Sequence, residues 1–182
     1  LNLHGSTGDI ILLGTTTENL QPCFDALGQI GFDLGGSGSA LRTVSCCVGQ
    51  SRCEFSTIDT MDITQTLTLA FQNEIHRPSF PYKFKIKCSG CPNDCAAASA
   101  RSDLAIVGIW RDAIRIDQEA VRQYVREGLD LFERVIRHCP SKCLGWDAAN
   151  ERLWIEDEDC VHCMHCINLM PKALSVGGER GA

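Results

Sequence analysis

No stretch of the 182 residues is apolar for long enough to cross a bilayer; the nearest, "DIILLG" at 9–14, is far too short. Positive charge is not in excess either. Seventeen Lys and Arg stand against 23 Asp and Glu, giving a net charge of −6 and a pI near 5.3, which argues against nucleic acid as the main partner. An initiator methionine and a signal peptide are both missing. The first, together with an end at "GGERGA" that completes no element, suggests a fragment or processed piece of a longer chain. The second is therefore uninformative about export.

What is present describes a soluble globular chain, 44% hydrophobic and 22% charged, long enough for one good-sized domain or one domain with a small insertion. Charge is unevenly spread, with basic groups at 83–87 and "EDED" at 156–159. The 12 cysteines dominate the composition. An even count suits a disulfide framework, but such frameworks belong to small secreted scaffolds with little core. Here the cysteines cluster at two- and three-residue gaps, where they are awkward to bridge with one another and well placed to grip a metal. Thiolate ligation in turn implies a reducing cytoplasm.

Strands alternate with helices in the first part of the chain. "DIILLG" reads as a buried strand, 18–30 as a helix ending at Gly31, and 33–43 as a glycine-rich loop where backbone passes close to something. Residues 60–76 have helical periodicity, 82–87 read as a strand, a short helix is expected from about Asn93, and 103–110 as a buried strand. The clearest helix is 117–138, with Val121, Val125, Leu129, Phe132 and Ile136 on one face. After 138 the chain turns short, cysteine-dense and turn-rich. The expected fold is α+β: an α/β body at 1–138, a small metal-dependent module at 139–176, and the start of a return segment at 177–182.

"CVHCMHC" places Cys160, Cys163 and Cys166 at two-residue gaps, suited to three corners of one iron–sulfur cubane. Zinc, with His162 or His165 as a further ligand, is the alternative. The triplet resembles that of bacterial ferredoxins, in which a cysteine followed by proline completes the set. That resemblance implies Cys139, before Pro140, as fourth ligand, with Cys143 the alternative and a hairpin through "LGW" and "RLWIE" between. Met170-Pro171 stands at the second Cys-Pro position, which implies one cluster in this module. His162 and His165 are expected to be exposed turn residues and "EDED" a solvated edge.

In "KFKIKCSGCPNDC" a side-chain period of two points Lys83, Lys85 and Lys87 to one side and Phe84 and Ile86 to the other. Three like charges on one face repel unless an anion covers them; a lysine-guarded edge strand is the plainer alternative. "CVGQSRC" (Cys47, Cys53) and "CPNDC" (Cys91, Cys95) form a Cx5C…Cx3C pattern. This pair of motifs resembles the signature of the siroheme-containing sulfite and nitrite reductases. The resemblance implies that the four thiolates hold a [4Fe-4S] cluster, with Cys95 also bridging to the siroheme iron. The carboxylate-rich macrocycle and the anionic substrate then account for the lysines, each contact being on the order of 4 kcal/mol gross at ~4 Å and an effective dielectric near 20.

Carried over residue by residue, the resemblance implies that Lys83, Lys85 and Arg42 face substrate oxygens, while Lys87 and Arg101 contact siroheme. "CSGCPNDC", "CVHCMHCIN" and "MPKAL" are similar to the alpha-type chains of the dissimilatory branch, and the similarity spans essentially the whole sequence. It implies six-electron reduction of sulfite toward sulfide, siroheme and two [4Fe-4S] clusters, a beta subunit in an alpha2beta2 assembly, an electron donor and a small cysteine-bearing sulfur-carrier protein. The rivals are a siroheme nitrite or assimilatory sulfite reductase, and a two-cluster electron-transfer protein without siroheme. Cys23, Cys46 and Cys88 are read as small apolar residues.

Overall fold

The computed structural model describes residues 1–4 and 9–182. The chain forms two compact units, Leu1–Val48 with Asp59–Ser89 and Asp94–Ile106, and Gly49–Ile58 with Gly90–Asn93 and Val107–Ala182. It is a mixed helix and strand fold, as the alternating pattern implied.

The first unit opens with an antiparallel pair, β1 (Asn2–His4) and β2 (Asp9–Ile11). The strand expected over 9–14 is shorter and less buried. Ile10 is 47% exposed and Leu13 79% exposed, because a pair of strands has no third layer to close its faces. Helix α1 (Leu20–Gln29) ends at Gly31, whose φ of +89° is the left-handed conformation glycine permits. In the glycine-rich loop, a Cβ at Gly36 would collide with the Leu41 carbonyl, so the close backbone approach expected there is real.

β3 (Ser45–Cys46), β4 (Ile86–Ser89) and β5 (Leu104–Val107) follow as one sheet in that order, β3 and β4 parallel with Ser45 opposite Lys87 and Cys46 opposite Cys88. The lysine strand is displaced from 82–87 to 86–89, and Phe84 joins it only through an isolated parallel bridge to Leu41. Phe84 and Ile86 nonetheless turn into the unit's core with Leu41, Val44 and Ile75, as the period of two required. The helix expected over 60–76 is two, α2 (Thr60–Ala70) and α3 (Gln72–His76), because Phe71 leaves helical geometry at φ −112°, ψ 27°. Asp59 caps α2 by accepting from the Met61 and Asp62 amides at 3.1 Å. α4 (Ala98–Arg101) begins later than expected, since Asp94 and Ala97 are both left-handed.

The second unit carries β6 (Ile109–Trp110), β7 (Arg115–Ile116), α5 (Gln118–Arg126), β8 (Leu144–Asp147), β9 (Arg152–Ile155), α6 (His165–Leu169), β10 (Leu174–Ser175) and β11 (Arg180–Gly181). β6 pairs with β11, β7 with β10 and β8 with β9, all antiparallel. The β8–β9 hairpin stands where "LGW" and "RLWIE" implied one; Asp147 folds its turn by accepting from the Ala149 and Asn150 amides. The expected strand 103–110 is broken at Gly108 into β5 and β6.

The helix expected over 117–138 ends at Arg126. Gly128, at φ +98°, breaks it, and Asp130 restarts the chain by accepting from the Glu133 amide ahead of a π-helical turn, Phe132–Ile136. The restart resets the phase: Leu131 and Val135 are buried, while Phe132, assigned to the buried face from the sequence, is 62% exposed. The core gathers Val121, Leu131 and Val135 with Cys91, Trp110, Cys139, Cys143, Cys166 and Ile167.

Candidate metal centre and cationic site

Five cysteines of the second unit, Cys139, Cys143, Cys160, Cys163 and Cys166, line one cavity whose remaining walls include Ile114, Leu144, Ile155 and Met164. The 160–166 loop closes around it because His162 and Met164 adopt positive φ, 51° and 64°, which tightens the turn between the cysteines. Cys139 and Cys143 lie 3.6 Å apart at sulfur, and the Ser141 hydroxyl is 3.8 Å from Cys139. Burial works to raise the Cys139 thiol, but hydrogen bonds from Cys143 and Ser141 outweigh it and hold the group below its ordinary value. Burial pushes Cys143 and Cys166 the other way, each up to about 12. The buried thiols of Cys143 and Cys166 are costly to ionise by themselves; an iron–sulfur cage would supply the positive charge that keeps the sulfurs as thiolates. No three His, Cys, Asp or Glu side chains converge on a single-ion site among the described residues. A cubane places its thiolates on four separate irons, so convergence on one point is not its requirement.

Of the Cx5C…Cx3C set, two cysteines fall in each unit. In the second unit, Cys53 and Cys91 are carried on segments tied at Gly90, whose carbonyl accepts from the Thr57 amide at 2.7 Å and the Thr57 hydroxyl at 3.0 Å. Gly108 permits this crossing, since a Cβ there would stand 2.5 Å from the Gly90 oxygen. In the first unit, Cys47 extends the β3–β4 pairing by donating its amide to the Cys88 carbonyl, 3.0 Å. Cys95 is exposed and follows Asp94, which accepts from Ser89, Ala98 and Ser99 at 2.6–2.9 Å. Burial works to raise the Asp94 carboxyl, but those bonds hold it below its ordinary value.

The cations of the first unit are graded in depth. Lys83 is exposed, Lys85 half-buried and Lys87 only 3% exposed. Lys87 donates to the Ala96 carbonyl at 2.9 Å. Burial, then the charges of Lys85 and Arg101, push it below the usual lysine value, with Asp94 opposing. Lys85, Lys87 and Arg101 therefore share one electrostatic neighbourhood. Arg42 is brought alongside through its amide, which donates to the Phe84 carbonyl at 2.8 Å. Its Nη1 atom is buried and meets no hydrogen-bond acceptor among the described residues. A buried guanidinium nitrogen without an acceptor is costly, and an anion is the group that would satisfy it. The residues present thus fit a polycarboxylate cofactor.

Several residues escaped the sequence. His162 is not an exposed turn residue: its ring lies 4.7 Å from that of Trp110, edge to face. His165 is held by the Arg134 carbonyl at 3.1 Å. Thr57 and the Asn93–Asn168 pair carried no local signal at all. The "EDED" turn is exposed, as expected.

Residues 37–181 match the family described as the nitrite and sulphite reductase 4Fe-4S domain. The chain belongs to this family. Within it, the chain is 49% identical over 197 residues to the dissimilatory-type sulfite reductase subunit alpha of Nitratidesulfovibrio vulgaris, covering 100% of this chain and 45% of that one. It is 44% identical to the corresponding subunit of Allochromatium vinosum, again over 100% of this chain and 44% of the relative. The crystal structure of dissimilatory sulfite reductase I superposes with a TM-score of 0.94 at 48% identity, over 100% of this chain and 45% of that one. The chain therefore spans less than half the length of these nitrite and sulphite reductase family members. No helix among the described residues is long and apolar enough to cross a membrane.

Proposed function

We propose that the chain is the part of a cytoplasmic dissimilatory sulfite reductase alpha subunit that binds siroheme and two [4Fe-4S] clusters. The observation that carries this is the buried Arg42 Nη1, which meets no acceptor among the described residues, on a chain whose Lys85, Lys87 and Arg101 charges crowd one another and which bears both cysteine patterns. A nitrite reductase of Bacillus subtilis is 35% identical over only 55% of this chain, whereas the alpha-type match runs through the second cysteine motif to the end. That favours sulfite over nitrite and an electron-entry module at 139–176.

In this reading Cys47, Cys53, Cys91 and Cys95 hold one cluster, with Cys95 serving the siroheme side as well. Cys139, Cys160, Cys163 and Cys166 hold the second; Cys139, followed by Pro140 as in the bacterial ferredoxin arrangement, is preferred to Cys143, whose sulfur lies 3.6 Å away. When bound, these groups would supply the electrons for the six-electron reduction of sulfite toward sulfide. The chain's residues do the rest. Lys87 and Arg101 neutralise macrocycle carboxylates, and Arg42 with Lys83 and Lys85 holds the sulfite oxygens. The lysines also donate protons as oxygen leaves as water. A beta subunit, an electron donor and a small cysteine-bearing sulfur carrier are the implied partners; the dissimilatory-type beta subunit of Archaeoglobus fulgidus is itself 26% identical to this chain.

The test is Cys95→Ser in the full-length enzyme. Visible siroheme bands and sulfite-dependent turnover should be lost while the Cys160–Cys166 cluster retains its iron and acid-labile sulfide. Turnover that survives the substitution refutes the assignment of Cys95.

A further inference from the structure

Asn93 lies two residues after Cys91, and Asn168 two residues after Cys166. In the fold their side-chain amides meet reciprocally: Asn93 Nδ2 donates to Asn168 Oδ1 at 3.1 Å, and Asn168 Nδ2 donates to Asn93 Oδ1 at 2.7 Å. Both bonds form only in one mutual orientation of the two amide planes, so the pair fixes angle as well as distance. α6 itself starts directly from the cysteine loop, its first-turn bond running from the Asn168 backbone amide to the carbonyl of the capping Met164 at 2.9 Å. A second tether reinforces the first. His162, between Cys160 and Cys163, packs edge to face on Trp110, which shares the unit's core with Cys91 and Cys166.

Stability alone gives a poor account of the amide pair. Asn168 is exposed, and a hydrogen bond that water can replace contributes little to folding. What the pair does constrain is the placement of the "CPNDC" turn against the helix that closes "CVHCMHC". Neither asparagine is a metal ligand in the function proposed above, on which this inference rests.

We propose that Asn93 and Asn168 are positioning residues: their reciprocal bond fixes the segment carrying Cys91 against the segment carrying Cys160–Cys166, and so sets the rate at which single electrons pass between the two clusters. Each transfer oxidises the 160–166 cluster by one electron and reduces the other by one, with no bond made or broken. Such transfer depends steeply on the separation and orientation of donor and acceptor, so a small slip of one segment slows it without removing either cluster.

The experiment uses the full-length enzyme with Asn168→Leu, which preserves side-chain size and abolishes both bonds. After rapid reduction of the 160–166 cluster, freeze-quenched electron paramagnetic resonance follows the electron's arrival at the other cluster. The expected result is a slower arrival of the electron than in the wild-type enzyme. Iron, acid-labile sulfide and each cluster's own signal should be unchanged. A wild-type rate in the iron-replete variant overturns the inference and leaves the proposed function standing. If Asn168→Leu loses iron, Asn93→Asp decides: it leaves α6 intact and breaks one of the two bonds, so its rate must still fall, and an unchanged rate refutes the role. A wild-type enzyme without iron or labile sulfide overturns the proposed function, and this inference with it.

Discussion

Adding one methyl group at Gly108 would place a carbon 2.5 Å from the Gly90 carbonyl oxygen, 2.9 Å from the Gly90 carbonyl carbon, and against the Thr57 hydroxyl. Neither obstacle is the loose end of a long side chain. Gly90 is backbone, and Thr57 is buried with its amide and hydroxyl both committed to that same oxygen. Restoring ordinary contact requires a shift of roughly 1 Å, and overpacking of this kind costs about 1–3 kcal/mol. The shift also stretches both Thr57 bonds, at about 1 kcal/mol each. Gly108→Ala should therefore destabilise the protein by roughly 3–5 kcal/mol, a large share of a total on the order of 5–15 kcal/mol. The lesion is also directional. Thr57–Gly90 joins the segment after Cys53 to the segment before Cys91, so the cluster proposed on those cysteines should lose iron first. The site at Cys160–Cys166, on other loops, should keep it. Chemical denaturation measures the first effect, and iron with electron paramagnetic resonance of each cluster measures the second. An alanine variant within about 1 kcal/mol of the parent, with both clusters intact, would refute the idea that this crossing positions the ligands.

The five-thiol cavity makes a sharp comparison: Cys139→Ser should abolish the 160–166 cluster signal, whereas Cys143→Ser should leave its iron and labile sulfide in place, and the reverse pattern would exchange the two assignments. Asp112 accepts from the Gly178 amide at 2.6 Å and the Glu179 amide at 2.9 Å, and these bonds hold its carboxyl below the ordinary value of 3.8. Because the folded value is the lower one, the stabilisation is complete above pH 3.8 and fades as pH falls through the folded value. Asp112→Asn should thus loosen the β11 end at pH 7, seen as faster amide exchange at Gly178 and Glu179, with the difference from wild type vanishing in strong acid; a difference that persists there contradicts the mechanism.

The sequence by itself determined whatever is written in short spacing. The two-residue gaps between Cys160, Cys163 and Cys166, and the Cx5C and Cx3C pairs, are read from a few neighbouring residues, and the first three do line one cavity. The alternation of Lys85 and Lys87 with Phe84 and Ile86 likewise survived a displaced strand, since side-chain direction depends only on the period of two. Element lengths were less legible. Gly128 broke the helix expected over 117–138, and the restart at Asp130 turned Leu131 and Val135 inward in place of Phe132; periodicity carries no account of a phase reset. Gly108 broke the expected strand because the Thr57–Gly90 crossing occupies the space a side chain would need.

Tertiary structure alone decided depth and partnership. Three lysines identical in the sequence pattern became one exposed, one half-buried and one buried residue. Arg42 acquired a nitrogen that meets no acceptor among the described residues, His162 found Trp110, and Asn93 met Asn168 across 75 positions of chain. Burial and pairing of that kind depend on how distant segments close upon one another, a property of the packed chain that no local window of residues contains.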